Sequence, residues 1–279
     1  MGADLFFVLG IAAAASVGWT LFWLGFTHWR FARYHRKKGL PYPPLGVAGW
    51  ARFYLATLAS IGLVAWWGVR ALLSDGLRGP PGSERERVVL CVHGFHLSGS
   101  SMWGIRRVLE RRGRPTRAVS LGLPHRSAES YARVLARRME RLLAARPGER
   151  IDVVTHSMGG LILRLVLSRH PHLAAGVRRI VTLGTPHRGT ALLRTIRFGA
   201  AYRMMSRGAP FLQTLPTFEE SAPDAAVTTV ASAHDLVVYP VSTAHLPGAR
   251  QITLERVGHL GLLTERRVQE LVADRLEES

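Results

Sequence analysis

The order of apolar and polar positions divides the chain into two materials. From Leu5 to Phe26 no residue is charged, and a second apolar run, Phe53 to Leu73, is interrupted only by Arg70 near its end. Either run is long enough to cross a hydrocarbon core of about 30 Å as a helix. From Arg87 onward the pattern changes to short β-branched runs alternating with amphipathic stretches. Val88 to Val92, Thr116 to Leu121, Ile151 to Val154, Val177 to Leu183, Ala226 to Ala231 and Gln251 to Leu254 read as strands. Met102 to Arg111, Ala128 to Ala145, the stretch from Leu161 to the residue before Pro171, and Thr264 to Leu276 read as helices. Strands alternating with helices of this length predict an α/β fold, a three-layer sandwich around a mostly parallel sheet. The predicted organisation is a membrane anchor over 1–75, a Gly/Pro/Ser-containing linker over 76–86 and the α/β domain over 87–279. The anchor is expected to be a hairpin of two transmembrane helices, about 5–26 and 53–73.

Charge adds a direction to that picture. Arg30, Arg33, Arg36, Lys37 and Lys38 follow the first apolar run directly, and Pro41, Pro43 and Pro44 then prevent a helix from continuing. Basic loops stay in the cytoplasm, so a hairpin closed by this loop puts both the N-terminus and the α/β domain outside. Six of the seven tryptophans precede residue 70, toward the ends of the two runs, as an aromatic belt would. The formal net charge of +18 comes almost entirely from arginine. The arginines are scattered along the helices without interleaved aromatics, and no nucleic-acid-binding motif is present, so a nucleic-acid partner is not expected. With one cysteine, Cys91, no intramolecular disulfide can form.

The candidate chemistry centres on Thr155-His156-Ser157-Met158-Gly159-Gly160, between a strand and a helix. A chain that turns from strand to helix over so few residues needs small neighbours, and the residue at the bend is held in strain with its side chain presented to solvent. That residue is Ser157, a candidate nucleophile. A nucleophilic serine needs a base and the base an orienting carboxylate. Asp235 follows the strand ending at Ala231 and is a lone carboxylate before Leu236-Val237-Val238; Asp224 precedes that strand and falls at the wrong edge of the sheet. His259 follows the last strand between Gly258 and Gly261, whereas His245 lies before that strand and His234 is too close to Asp235 to take it as partner. The backbone N–H groups of Met158 and of Phe95, in the His93-Gly94-Phe95-His96 loop, are the candidate oxyanion donors. His93 and His156 are expected to be structural, with the His156 side chain turned away from the serine. The segment from Thr190 to Ala222 is rich in large apolar residues, among them Leu192, Phe198, Met204, Met205 and Phe211, and is the candidate cover of an acyl pocket.

Taken in order, Val92-His93-Gly94-Phe95, the Ser157 motif, Gly184-Thr185-Pro186-His187-Arg188-Gly189-Thr190, Ser232-Ala233-His234-Asp235 and Gly258-His259 resemble the α/β-hydrolase lipases. The chain looks most like the compact bacterial lipases and esterases and the GPI inositol-deacylase-like group, from about Arg87 to Leu276. Thr155 departs from the family motif, which has a glycine there. The resemblance implies a Ser157, Asp235, His259 triad acting on acyl or lipid esters through an acyl-enzyme, with no metal and no cofactor. It accommodates an acyltransferase or thioesterase on the same residues; the intact order of serine, acid and base counts against the remaining alternative, a hydrolase-fold binding protein without activity. The expected partners are an acyl ester and the bilayer, with no obligate protein partner. The expected location is the bacterial cytoplasmic membrane, multi-pass, with the catalytic domain on the extracytoplasmic side.

Overall fold

Six strands hydrogen-bond into one sheet in a computed structural model that describes residues 2–43, 45–73, 88–122, 126–195 and 199–278. The predicted linker, 76–86, lies outside the described residues. By packing, the chain forms two compact units, Met1–Pro44 and Leu45–Ser279.

The first unit is one helix, α1 (Gly2–Lys38), and the turn after it. Gly39 ends the helix at φ 60°, a left-handed conformation that glycine adopts without penalty. The turn folds back on the end of its own helix: the His35 ring pairs with the Pro41 carbonyl at 2.9 Å, and Tyr42 Oη with His28 Nε2 at 2.7 Å.

The second unit starts with α2 (Val47–Leu73) and continues through β1 (Val89–Val92), α3 (Trp103–Arg111), β2 (Thr116–Val119), α4 (Ala128–Ala144), β3 (Ile151–His156), α5 (Met158–Arg169), α6 (Pro171–Ala175) and β4 (Val177–Leu183). Three short helices, α7 (Gly199–Met205), α8 (Pro210–Thr214) and α9 (Phe218–Ser221), lead to β5 (Ala226–Ser232), β6 (Arg250–Leu254), α10 (Gly261–Thr264) and α11 (Arg266–Glu277). The strand order is β2-β1-β3-β4-β5-β6 and every pairing is parallel. The central strands β1 and β3 are buried at every position, which is why they read as unbroken apolar runs. Edge strand β6 keeps three of its five residues exposed. On one face Val89, Cys91, Val154, Val181 and Val230 pack against α3, α10 and α11. Burial pushes the Cys91 thiol up to about 12.

Many arginines have structural duties at the opposite end of the sheet from Ser157. Asp152, fully buried at the start of β3, accepts from Arg178 at 3.0 and 2.6 Å and also from Arg114. The same two guanidinium groups reach the Leu276 carbonyl, and Arg179 reaches that of Arg275. Four-residue carbonyl arrays at helix ends lack intrahelical donors and carry the negative end of the helix dipole, so cations there are stabilising. Arg112 adds Asp274, Glu277 and Glu270 from α11 itself.

The expected hairpin takes a different form. Among the described residues one helix, α2 over Val47–Ala71, is long and apolar enough to cross a membrane. It is not set apart from the α/β domain but packed on it. Phe53, Thr57, Ser60, Val64, Trp67 and Ala71 face inward at alternating spacings of four and three, the narrow seam of one helix against another surface. Phe53 and Trp50 lie on the His234 ring, the Ser60 hydroxyl meets that of Thr264 at 2.7 Å, and Trp67 packs on Trp103 with centroids 5.4 Å apart. The sequence hid this seam because its outward positions are apolar too, so the run shows no polar face.

Candidate active site

The sharp bend is where the sequence puts it. β3 ends at His156 and α5 begins at Met158, leaving Ser157 between them at φ 52° and ψ −124°. A positive φ on a residue with a Cβ is strained, and the surroundings must hold it. Here the Ser157 N–H donates to the Leu183 carbonyl at 2.8 Å, and its own carbonyl accepts from the Gly160 N–H at 3.1 Å. A Cβ on Gly159 would lie 2.7 Å from the His93 carbonyl, and one on Gly160 would lie 2.7 Å from Thr185 Cγ2. Only glycines let α5 start this close to β1 and to the loop after β4. Thr155 is buried, with its hydroxyl unpartnered. Ser157 itself is 7% exposed, less open than the motif implies, because the His93–Phe95 loop closes over it.

Asp235 and His259 come from the ends of β5 and β6 and meet: His259 Nδ1 donates to Asp235 Oδ2 at 2.7 Å. The other carboxylate oxygen accepts the Val237 and Val238 N–H groups at 2.8 and 2.9 Å. Asp235 is 2% exposed, so these bonds fix the orientation of a carboxyl group that water scarcely reaches. Gly184, at φ 55°, makes room for the imidazole; a Cβ there would stand 3.2 Å from His259 Nδ1. His156 also touches this group. Its Nε2 pairs with the His259 carbonyl at 3.1 Å, and the two rings lie 4.6 Å apart. The side chain expected to be turned away as packing thus holds the backbone of the candidate base. Burial, and then the neighbouring His259, hold the His156 imidazole well below its usual range, so it stays neutral.

Opposite His259 stands the loop after β1. A Cβ on Gly94 would be 2.9 Å from both Ser157 Cβ and His156 Nδ1, so the loop backbone runs against the bend. His93 accepts the Leu121 N–H on Nε2 at 2.9 Å, which leaves its Nδ1–H to donate to the Gly94 carbonyl at 2.7 Å. Burial lowers its pKa and keeps it in that neutral form. A cavity of about 90 Å³ is lined by Gly94, Phe95, Leu97, Tyr131 and Met158 among others. The N–H of Met158, first in α5, has no carbonyl four residues back to bond. Tyr202, on α7, packs edge-on against Phe95 and its hydroxyl lies 3.2 Å from His96 Nε2.

Other sequence candidates fall elsewhere. His245 bridges β5 and β6 through Thr229 and Thr253, and His234 accepts the Arg256 N–H beneath α2. Asp224 lies before β5, with its carbonyl on Arg150. Leu192, Met204 and Met205 are buried, Phe211 is half-buried, and Phe198 lies outside the described residues. The first three pack inward because the segment folds into short helices with a core of their own, and none of them lines the cavity beside Met158. Sequence reading passed over Arg164. Its guanidinium, 2% exposed, donates to the carbonyls of Pro216 at 2.9 Å, His187 at 3.0 Å and Leu215 at 2.5 Å. It ties α5 to the 190–222 segment, and burial lowers its pKa to about 10. Among the described residues, Glu140, His170 and His172 could converge on a metal ion, about 18 Å along α5 from Ser157.

Comparison with known proteins places the fold. Lipase B of Aspergillus fumigatus superposes with a TM-score of 0.63 at 17% identity over 71% of this chain. The match covers 54% of the Aspergillus enzyme, so this chain spans about half of that protein's length. The mature lipase BlEst2 of Bacillus licheniformis gives 0.57 at 17% identity, covering 71% of this chain and 94% of the lipase. Est1E of Butyrivibrio proteoclasticus gives 0.54 at 15% identity, covering 72% and 93%. At these identities the likeness is one of fold, and the fold is that of the α/β-hydrolases. No curated protein matches the sequence. A family model matches residues 60–253, and the chain therefore belongs to the family described as a domain of unknown function (DUF7379).

Proposed function

We propose that the chain is a membrane-held serine hydrolase that cleaves carboxylic esters of acyl chains. The observation that carries this reading is the strained Ser157, bracketed by the Gly94 loop on one side and the Asp235–His259 pair on the other. With Nδ1 engaged by Asp235, His259 has Nε2 left to accept the Ser157 hydroxyl proton. Ser157 Oγ attacks the ester carbonyl, and the oxyanion is received by the N–H groups of Phe95 and Met158. Collapse breaks the ester C–O bond, the alcohol leaves with the proton from His259, and the acyl group stays on Ser157. Water, deprotonated by the same imidazole, releases the acid. The cavity beside Met158 takes the carbonyl and the first carbons of the acyl chain. The short helices after β4 stand beside it, with Tyr202 on α7 against Phe95 as the nearest element. The uncharged stretch at the start of α1 holds the enzyme beside lipid, which makes acyl esters of lipid origin the substrate class.

Fluorophosphonate labelling and p-nitrophenyl ester hydrolysis test this. Ser157→Ala should abolish labelling and cut turnover by roughly 10⁴-fold or more, with the circular dichroism spectrum unchanged. Turnover near that of the parent in a folded variant would sink the proposal.

A further inference from the structure

The seam on α2 bears on which side of the membrane the enzyme works. From Phe53 to Trp67 the helix stays on the α/β domain, a distance of about 21 Å at 1.5 Å per residue. What it touches is not membrane-like. A Cβ on Gly258, in the loop that carries His259, would stand 2.9 Å from Thr57 Oγ1, and one on Gly104 would stand 2.8 Å from Trp67. Exposed Arg256 donates its N–H to the His234 ring on which Phe53 rests, and exposed Arg107 lies over Trp103. Were α2 to cross the bilayer, this loop and these arginines would be carried into hydrocarbon. Irregular backbone does not survive there in contact with lipid, and a centrally placed charge is costly. The family model also begins at residue 60, inside α2, so the second half of the helix belongs with the hydrolase domain.

The outward face of α2 nonetheless needs an apolar partner. Leu55, Leu63, Trp66 and Val69 are 67%, 39%, 57% and 47% exposed, with Ala59 and Gly62 between them and no charge from Phe53 to Val69. Arg52 and Arg70 bracket this strip, with Arg107 beside Arg70 on the Trp103 ring. An apolar strip framed by arginines, on a chain of net charge +18, complements an anionic phospholipid surface.

We propose that α2 does not cross the membrane but lies along it, its outward face in the acyl boundary and its inward face on the hydrolase domain. The chain then crosses once, by the uncharged run from Leu5 to Phe26, whose length suffices for a hydrocarbon core. The unit from Leu45 onward falls on the same side as Arg30 to Lys38, and the positive-inside rule makes that side cytoplasmic. This reverses the extracytoplasmic placement expected from two spans. It rests on the membrane residence proposed above and is independent of the chemistry at Ser157, which fluorophosphonate labelling tests alone.

Two measurements on the full chain decide it. Alkaline phosphatase fused after Ser279 should be inactive and a green fluorescent protein at the same point bright; an active phosphatase overturns the proposal. For depth, nitroxides are placed at Leu55→Cys, Ala59→Cys, Leu63→Cys and Trp66→Cys, one at a time, in a Cys91→Ala chain. The chain is reconstituted in phosphatidylethanolamine/phosphatidylglycerol vesicles, and oxygen is compared with a nickel chelate as relaxant. All four labels should share one shallow depth, about 5–10 Å into the boundary. A profile deepest at Ala59 and Leu63, near 15 Å, means a spanning helix and overturns the proposal. Labels shielded from both relaxants mean a second copy or another protein on this face, and overturn it too.

Discussion

At the scale of single residues, the candidate site is a set of neutral and charged groups held in one state by burial. His156 acts through its neighbour: its Nε2–H on the His259 carbonyl fixes where the imidazole of the candidate base hangs. His156→Leu should lower kcat by about 10²-fold, the usual cost of a misplaced group, and leave KM nearly unchanged. His156→Gln, which retains an N–H donor, should recover part of the loss, whereas a purely space-filling histidine would be served better by leucine. His156 and His187 also make stability depend on pH. Burial is the main reason both stay well below the ordinary 6.5, helped by His259 in one case and Arg164 in the other. Below 6.5 the unfolded chain takes up protons that the folded chain refuses. Stability is therefore complete above pH 6.5 and falls as pH drops beneath it, by about 1.4 kcal/mol per pH unit for each histidine. Urea unfolding at pH 7.5 and 5.5 should show the midpoint moving down at the lower pH, and the shift should shrink in His187→Asn.

At the scale of elements, α5 does most to organise the molecule. Its N-terminus forms the bend at Ser157, its glycines let it approach β1, and Arg164 on its inner side anchors the 190–222 segment. Arg164→Met keeps the stem but leaves three carbonyls without their donor. With water repairing part of the damage, the cost should be about 3 kcal/mol, or a Tm lower by roughly 6–12 °C for a unit of this size. Differential scanning calorimetry measures it, and a change below 2 °C would mean that the three bonds contribute nothing net. Elements differ in how plainly the sequence announces them. The strands were legible because buried parallel strands are continuous β-branched runs, and Ser157, Asp235 and His259 because each falls just past such a run. Arg164 was not, since an arginine inside an apolar helix gives no sign that its partners are carbonyls 23 to 52 residues away. Nor was the packing of 190–222, where buried methionines and exposed ones are written alike.

At the scale of the whole molecule, hydropathy and packing divide the chain at different places. The apolar run ends near Leu73, yet the unit that contains Ser157 begins at Leu45. The practical consequence concerns how a soluble form of the chain would be prepared. Cutting away everything ahead of the strands removes a wall as well as a tether: Trp103, the His234 ring and Gly258 lose the side chains that cover them. A chain starting at Val88 should gather in inclusion bodies or bind the dye ANS strongly, whereas one starting at Leu45 should stay folded in mild detergent and label with fluorophosphonate. Equal solubility and labelling of the two would mean that α2 is dispensable. If they differ as expected, detergent in the preparation is a substitute for lipid on one helix face, and washing it out should bring the folded chains together through that face long before any of them unfolds.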